Sequence, residues 1–280
     1  MVADPRAVWG ALTAAERHAA YDNMAASVNG PELAAARNAA SAAFRARHAG
    51  KLDLAYGAAE REKWDIYPPK NPRAPVLVFI HGGYWQMNAR ENFAVVAEGA
   101  LSWGLGVAMP GHTLAPQASL TEIVAQIRSA LDWLAREGAA HGVGGPAIVS
   151  GWSAGGHLAA MALDHPHMRA GVGISGVYEL GPIRDTKYNV AMKFTDVEVA
   201  TLSPLRLPVV NKPFALAYGS REVPALVEDA RKFHALRADA HAAGALIPIA
   251  GANHFSVLDA LRDPKGEILA EVVAMAGRLG

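Results

Sequence analysis

Ser153 stands in Gly151-Trp152-Ser153-Ala154-Gly155, between the apolar run Ile148-Val149-Ser150 and the small, apolar stretch Ala154 to Leu163. A serine on a sharp turn from a strand into a helix can present its hydroxyl as a nucleophile, and glycines two before and two after it let the two elements approach closely. The amide of Ala154, opening the helix, would point at negative charge developing on an attacked carbonyl. A hydroxyl is a weak nucleophile by itself, so a base must take its proton and a buried acid must hold that base in the right tautomer. Two late loops supply them: Tyr218-Gly219-Ser220-Arg221-Glu222 and Gly251-Ala252-Asn253-His254-Phe255, each just past a strand-like run. The spacing therefore points to Ser153 as nucleophile, His254 as base and Glu222 as orienting acid. Asp185, Asp196, Glu198 and Asp229 also lie between Ser153 and His254, but the first three fall in an irregular excursion and Asp229 inside a helical stretch. Of the other histidines, His234 and His241 sit in that helical stretch, and His165 and His167 flank Pro166 in a turn.

A second glycine-rich loop, His81-Gly82-Gly83-Tyr84-Trp85, directly follows the buried-strand pattern Pro75 to Ile80. It resembles the HGGG-type segment of lipases and esterases, whose backbone amides complete an oxyanion hole. That role falls here to the amides of Gly83 and Tyr84, together with Ala154. Tyr84, Trp85, His112 and Trp152 lie near these motifs and are the candidates to line an aromatic substrate pocket.

The elements needed to carry these residues follow from periodicity. Thr13 to Glu16 has capping-box spacing, and Leu33, Ala36, Ala40 and Phe44 recur at helical intervals behind Pro31, with Gly50 placed to end the helix. Glu60 to Tyr67 reads as a strand. Strand-like and helical segments then alternate: Pro75 to Ile80, Glu91 to Trp103, Gly106 to Met109, Leu120 to Glu137, Ala147 to Ser150, Ala154 to Leu163 and Ala170 to Ser175. After an excursion over 176–213, which could cap the strand ends, come Phe214 to Tyr218, Ala225 to Ala243, Ala245 to Ile249 and Ile268 to Leu279. This rhythm predicts a mostly parallel central sheet with helices on both faces and a small cap, in one α/β domain over 1–280 with an N-terminal helical segment over 1–50.

Composition narrows the chemistry further. With hydrophobic residues at 51% and charged residues at 19%, the chain has material for a large core; Lys plus Arg and Asp plus Glu are 26 each, with no basic run to meet a row of phosphates, so nucleic acid is not an expected partner. Cysteine is absent, which removes thiolate nucleophiles and zinc thiolate sites. His165, His167 and Asp164 lack a third histidine at matching spacing, no H-E-x-x-H occurs, and no phosphate-binding glycine motif is present, so neither metal nor cofactor is expected. Asp4, Arg6, Glu16, Arg17 and His18 interrupt Met1 to Asn23, so no secretory signal or membrane span is expected and a cytoplasmic location follows.

These motifs together resemble the α/β-hydrolase superfamily from about Trp64 to the C-terminus, with Leu114-Ala115-Pro116 after a strand, the elbow Gly151 to Gly156 followed by His157, and the late acid and histidine all in its order. His81-Gly-Gly-Tyr-Trp85 is similar to the arylformamidase (kynurenine formamidase) and small-esterase branch, although Glu222 stands where aspartate is usual. The resemblance implies hydrolysis of N-formylkynurenine, or of similar aryl formamides and short-chain esters, through an acyl-enzyme. It implies also that the helices between Leu12 and Ala49 cover the active site, and that a homodimer is a common state. Two other readings fit the residues: a carboxylesterase acting on short or aryl esters, and a noncatalytic protein whose pocket only holds a small ligand.

Overall fold

The computed structural model describes residues 11–279; the start of the N-terminal segment, including Asp4 and Arg6, and Gly280 lie outside the described residues. Its centre is an eight-stranded sheet in the order β1-β2-β4-β3-β5-β6-β7-β8. The strands are β1 Lys51–Ala55, β2 Lys63–Tyr67, β3 Val76–Ile80, β4 Gly106–Pro110, β5 Ala147–Trp152, β6 Met168–Ile174, β7 Phe214–Gly219 and β8 Leu246–Ile249. β2 runs antiparallel to β1 and to β4, and every pairing from β4 through β8 is parallel. A mostly parallel sheet of this order, crossed by helices on both faces, is the α/β-hydrolase arrangement expected above.

The β3 run shows why the sheet must be covered twice. Val76, Val78 and Ile80 point into one core while Leu77 and Phe79 point into the other, all of them buried. Each such side chain taken from water stabilises the fold by about 1.5–3 kcal/mol, so neither face can stay bare. Among the helices (α1 Ala14–Ala19, α2 Asn23–Ala26, α3 Gly30–Arg47, α4 Ala97–Ser102, α5 Leu120–Glu137, α6 Ala154–Ala162, α7 Asn189–Met192, α8 Asp196–Thr201, α9 Pro224–Asp239, α10 Asp259–Arg262 and α11 Glu267–Gly277), α5, α6 and α9 cover the first face. Phe44 of α3 and the apolar sides of α4, α10 and α11 cover the second. The Ser119–Glu122 capping box starts α5, and Thr13 and Glu16 make the same box at α1. The excursion over 176–213 folds into short helical turns and sends Val177, Leu180, Ile183 and Phe194 into the first core. No helix among the described residues is long and apolar enough to cross a membrane.

Three local expectations need correction. Lys51–Ala55 pairs as an edge strand where the residue pattern predicts no element; its register shifts between Lys51 and Leu54, and Asp53 turns to φ 59°. Glu60 to Lys63 is not wholly strand, because the Glu62 carboxylate accepts the Ala59 amide and bends the chain into a turn before β2. Glu91 to Trp103 is not one α-helix. Arg90–Val96 is a 3₁₀ segment, where Arg37 Nε and Ser41 Oγ of α3 take the Asn92 carbonyl and Ser41 Oγ accepts the Val95 amide. Those side chains compete for groups an α-helix would pair internally.

Candidate active site

The carboxyl ends of β3, β5, β6, β7 and β8 share one rim of the parallel sheet, and the candidate site is assembled there. β5 ends at Trp152 and α6 begins at Ala154, so Ser153 alone makes the turn, at φ 58° and ψ −121°. A non-glycine residue in such a conformation costs about 1–3 kcal/mol and persists only where its surroundings hold it. They do: the Ser153 amide donates to the Ile174 carbonyl at 2.8 Å, and the elbow glycines leave no room for anything larger. A Cβ at Gly151 would lie 2.1 Å from the Gly155 carbonyl oxygen, and one at Gly155 would lie 2.1 Å from that of Ile80.

Glu222 follows β7 and His254 follows β8, and they meet. His254 Nδ1 donates to Glu222 Oε2 at 2.9 Å, with the carboxylate side chain entirely out of solvent. The other oxygen, Oε1, accepts the Gly219 amide at 2.7 Å and the Ser175 hydroxyl. Burying a carboxylate costs several kcal/mol unless its lone pairs are satisfied, and here three donors satisfy them. Because Nδ1 carries the proton toward the acid, Nε2 of the neutral ring is left as the basic atom. Trp152, the neighbour of Ser153, fixes the histidine turn: its indole N–H donates to the His254 carbonyl at 2.8 Å and its ring lies 4.7 Å from the imidazole. Asn253 closes that turn by accepting the amides of Phe255 and Ser256. The Ser153 hydroxyl itself makes no hydrogen bond among the described residues, to His254 or otherwise.

The β3 loop presses against the elbow, since a Cβ on Gly82 would lie 2.9 Å from that of Ser153. Gly83, Tyr84 and Trp85 follow at φ 129°, 48° and 57°, three successive residues with positive φ. The amides of Gly83 and Tyr84 donate to no described residue, and that of Ala154 lies in the first turn of α6, where no intrahelical acceptor exists.

The four aromatic candidates are all buried. Trp152 touches His254 as above. The Tyr84 hydroxyl donates to the Tyr21 carbonyl, and its ring stacks on Tyr188 of the excursion at 3.7 Å. Burial and then Tyr188 hold that phenol well above its ordinary range. Trp85 packs edge-on against His157 and Phe194, and His112 stacks on His81 at 4.6 Å. Burial pushes His112 down to about 4, so its ring is neutral. The N-terminal helices lie over this rim: besides Tyr21 on Tyr84, Asn253 Nδ2 donates to Asn29 Oδ1 and Phe255 packs on Gly30.

The rival acids are occupied elsewhere. Asp185 and Asp196 pair with Arg17 and Arg184, Glu198 caps α8, and Asp229 accepts the Tyr178 and Glu179 amides. Burial raises Asp229 to about 7, against the pull of those two amides. His165 pairs with Asp132, and among the described residues no cluster of His, Cys, Asp and Glu is arranged to hold a metal ion. Ser175 was not legible beforehand. It sits just past β6 at φ 49°, with no motif around it, and only the folded chain brings its hydroxyl to Glu222.

Comparison with known proteins agrees with this architecture. The family model BD-FAE matches residues 64–169. Kynurenine formamidase of Danio rerio is 27% identical over 245 residues, spanning 81% of this chain and 82% of its own. A solved structure from a Silicibacter species, described provisionally as a thioesterase, is 30% identical with a TM-score of 0.83, covering 92% of this chain and 99% of that one. Esterase B of Lactobacillus rhamnosis shares the fold at 17% identity, with a TM-score of 0.72 and coverage of 99% and 96%. The chain belongs to the α/β-hydrolase superfamily, in its branch of arylformamidase-like hydrolases and small esterases.

Proposed function

We propose that the protein is a serine hydrolase that transfers a small acyl group to water, with Ser153, His254 and Glu222 as its triad. Ser153 Oγ attacks the substrate carbonyl while its proton passes to His254 Nε2, and Glu222 stabilises the imidazolium through Nδ1. The amides of Gly83, Tyr84 and Ala154 receive the oxyanion. As the tetrahedral adduct collapses, the bond to the leaving amine or alcohol breaks and His254 returns the proton to it. Water then attacks the acyl-Ser153 ester by the same route, releasing a carboxylic acid and restoring the hydroxyl. No electrons are gained or lost overall, so the cycle requires no redox cofactor. The observation that carries this reading is the 2.9 Å bond between His254 and Glu222, out of solvent on the rim that also carries Ser153 in its strained turn.

The substrate we favour is an aryl formamide, the class named by kynurenine formamidase of Danio rerio, with Tyr84, Trp85, His112 and Trp152 as the aromatic frame of its pocket. A carboxylesterase acting on short or aryl esters is the second reading, supported by the 26% identity to esterase LipC of Mycobacterium tuberculosis over 77% of this chain. The two differ in whether His254 delivers its proton to a departing amine. Comparing kcat/KM for an aryl formamide and for phenyl acetate separates them: a higher value on the formamide supports the amidase. Turnover of neither, with no labelling of the purified protein by a fluorophosphonate, would leave only a ligand-binding role and overturn the proposal.

A further inference from the structure

In a planar peptide the N–H and the preceding carbonyl point in opposite directions, so whatever grips the carbonyl also aims the amide. For the Tyr84 amide the relevant carbonyl is that of Gly83, which accepts the amides of Gln86 and Met87 at 2.9 and 3.0 Å. For the Gly83 amide it is the Gly82 carbonyl, and there the grip comes from side chains. Asn88 Nδ2 donates to it at 3.1 Å and His81 Nδ1 at 3.0 Å. The Gly82–Gly83 peptide lies between two residues without a Cβ, and Gly83 sits at φ 129°, so its own torsions resist rotation little. Asn88 is itself held. It adopts φ 69°, which asparagine tolerates, and its carbonyl accepts from the Arg61 guanidinium, which also donates to the His112 carbonyl at 2.8 Å.

We propose that Asn88 is a positioning residue of the oxyanion hole: its side-chain amide holds the Gly82 carbonyl so that the Gly83 N–H faces the oxygen that becomes negative during attack by Ser153. The proposal rests on the triad reading above. Asn88 touches no reacting atom in this scheme and acts only through the peptide it holds. His81 grips the same carbonyl from the adjacent residue, with its ring stacked on His112, so removing Asn88 weakens the alignment without abolishing it.

Two variants test this. Asn88→Gly keeps the left-handed backbone accessible and removes the donor, and Asn88→Asp keeps the shape but sets an acceptor against the carbonyl. With phenyl acetate as substrate, and active sites counted by fluorophosphonate labelling taken to completion, kcat per labelled site is expected to fall about 10–100-fold in Asn88→Gly with KM within about two-fold, and further in Asn88→Asp. Should Asn88→Asp fail to fold, Asn88→Gly decides alone. A kcat per labelled site within about two-fold of wild type in Asn88→Gly would overturn the proposal, as would a loss confined to the fraction of protein that labels, because a purely structural turn would act only there. Failure of the triad reading looks different: the wild type would not label, or Ser153→Ala would keep its turnover.

Discussion

Shortening the triad acid by one methylene, in Glu222→Asp, tests whether its exact reach matters. The glutamate carboxylate works with both oxygens, Oε1 on the Gly219 amide and the Ser175 hydroxyl and Oε2 on His254 at 2.9 Å. An aspartate carboxylate is drawn back by about 1.5 Å, so keeping the first pair of bonds stretches the contact with the imidazole to roughly 4 Å. A charge-assisted hydrogen bond is worth about 1.5–3 kcal/mol, which converts to a loss of about 10- to 150-fold in kcat if it is fully realised in the transition state. Glu222→Gln keeps the length but spoils the tautomer of His254, and the expected loss there is larger, about 10³- to 10⁴-fold. The assay is kcat on phenyl acetate per fluorophosphonate-labelled site, beside a urea unfolding curve. Wild-type kcat in both variants would refute the reasoning, since an acid that can be moved or neutralised without effect orients nothing.

Further consequences follow from the packing around the rim. Gly155→Ala drives a Cβ to within 2.1 Å of the Ile80 carbonyl oxygen, and overpacking of this kind costs about 1–3 kcal/mol or more; a lowered urea midpoint with lost activity is expected, and an unchanged midpoint would contradict it. Trp152→Phe removes the donor to the buried His254 carbonyl and should cost about 1–3 kcal/mol in urea unfolding, along with part of kcat. Asp229 is raised to about 7 in the native protein and is ionised from its ordinary range near 4 in the unfolded chain, so between these values the native state holds the extra proton and stability falls as pH rises. Unfolding free energies at pH 5 and pH 8 should therefore differ less in Asp229→Asn than in wild type, by up to about 1.4 kcal/mol for each pH unit of that window. Parallel behaviour of the two proteins would exclude the buried acid.

How far the sequence could be read depended on where the determining contacts lie. Most of the parallel strands were legible because a strand buried on both faces must be apolar throughout, as in Val76–Ile80, and α5 because Leu120, Ile123, Ile127, Ala130 and Leu134 recur at helical intervals. Ser153 and Glu222 were legible as candidates because they come within three residues of such strands, β5 and β7, and His254 because it comes shortly after the last strand in the chain order that a triad needs. β1 was not, since Lys51-Leu-Asp-Leu-Ala55 is short, half exposed and bent at Asp53, and owes its pairing to β2. The 3₁₀ turn over Arg90–Val96 depends on Arg37 and Ser41, far away along the chain. Ser175 and Asn88 were invisible for the same reason: their side chains act on groups distant in sequence or on a peptide orientation that no motif encodes.

The central claim, an ester formed on Ser153 and released through His254, is tested most directly by mixing the protein with p-nitrophenyl acetate, quenching in acid and locating the acetyl group by peptide mass spectrometry. A burst of nitrophenol with one acetyl group on the peptide at Ser153, and neither in Ser153→Ala, is the predicted result. An acetyl group on another residue, or undiminished turnover by Ser153→Ala, would contradict the account.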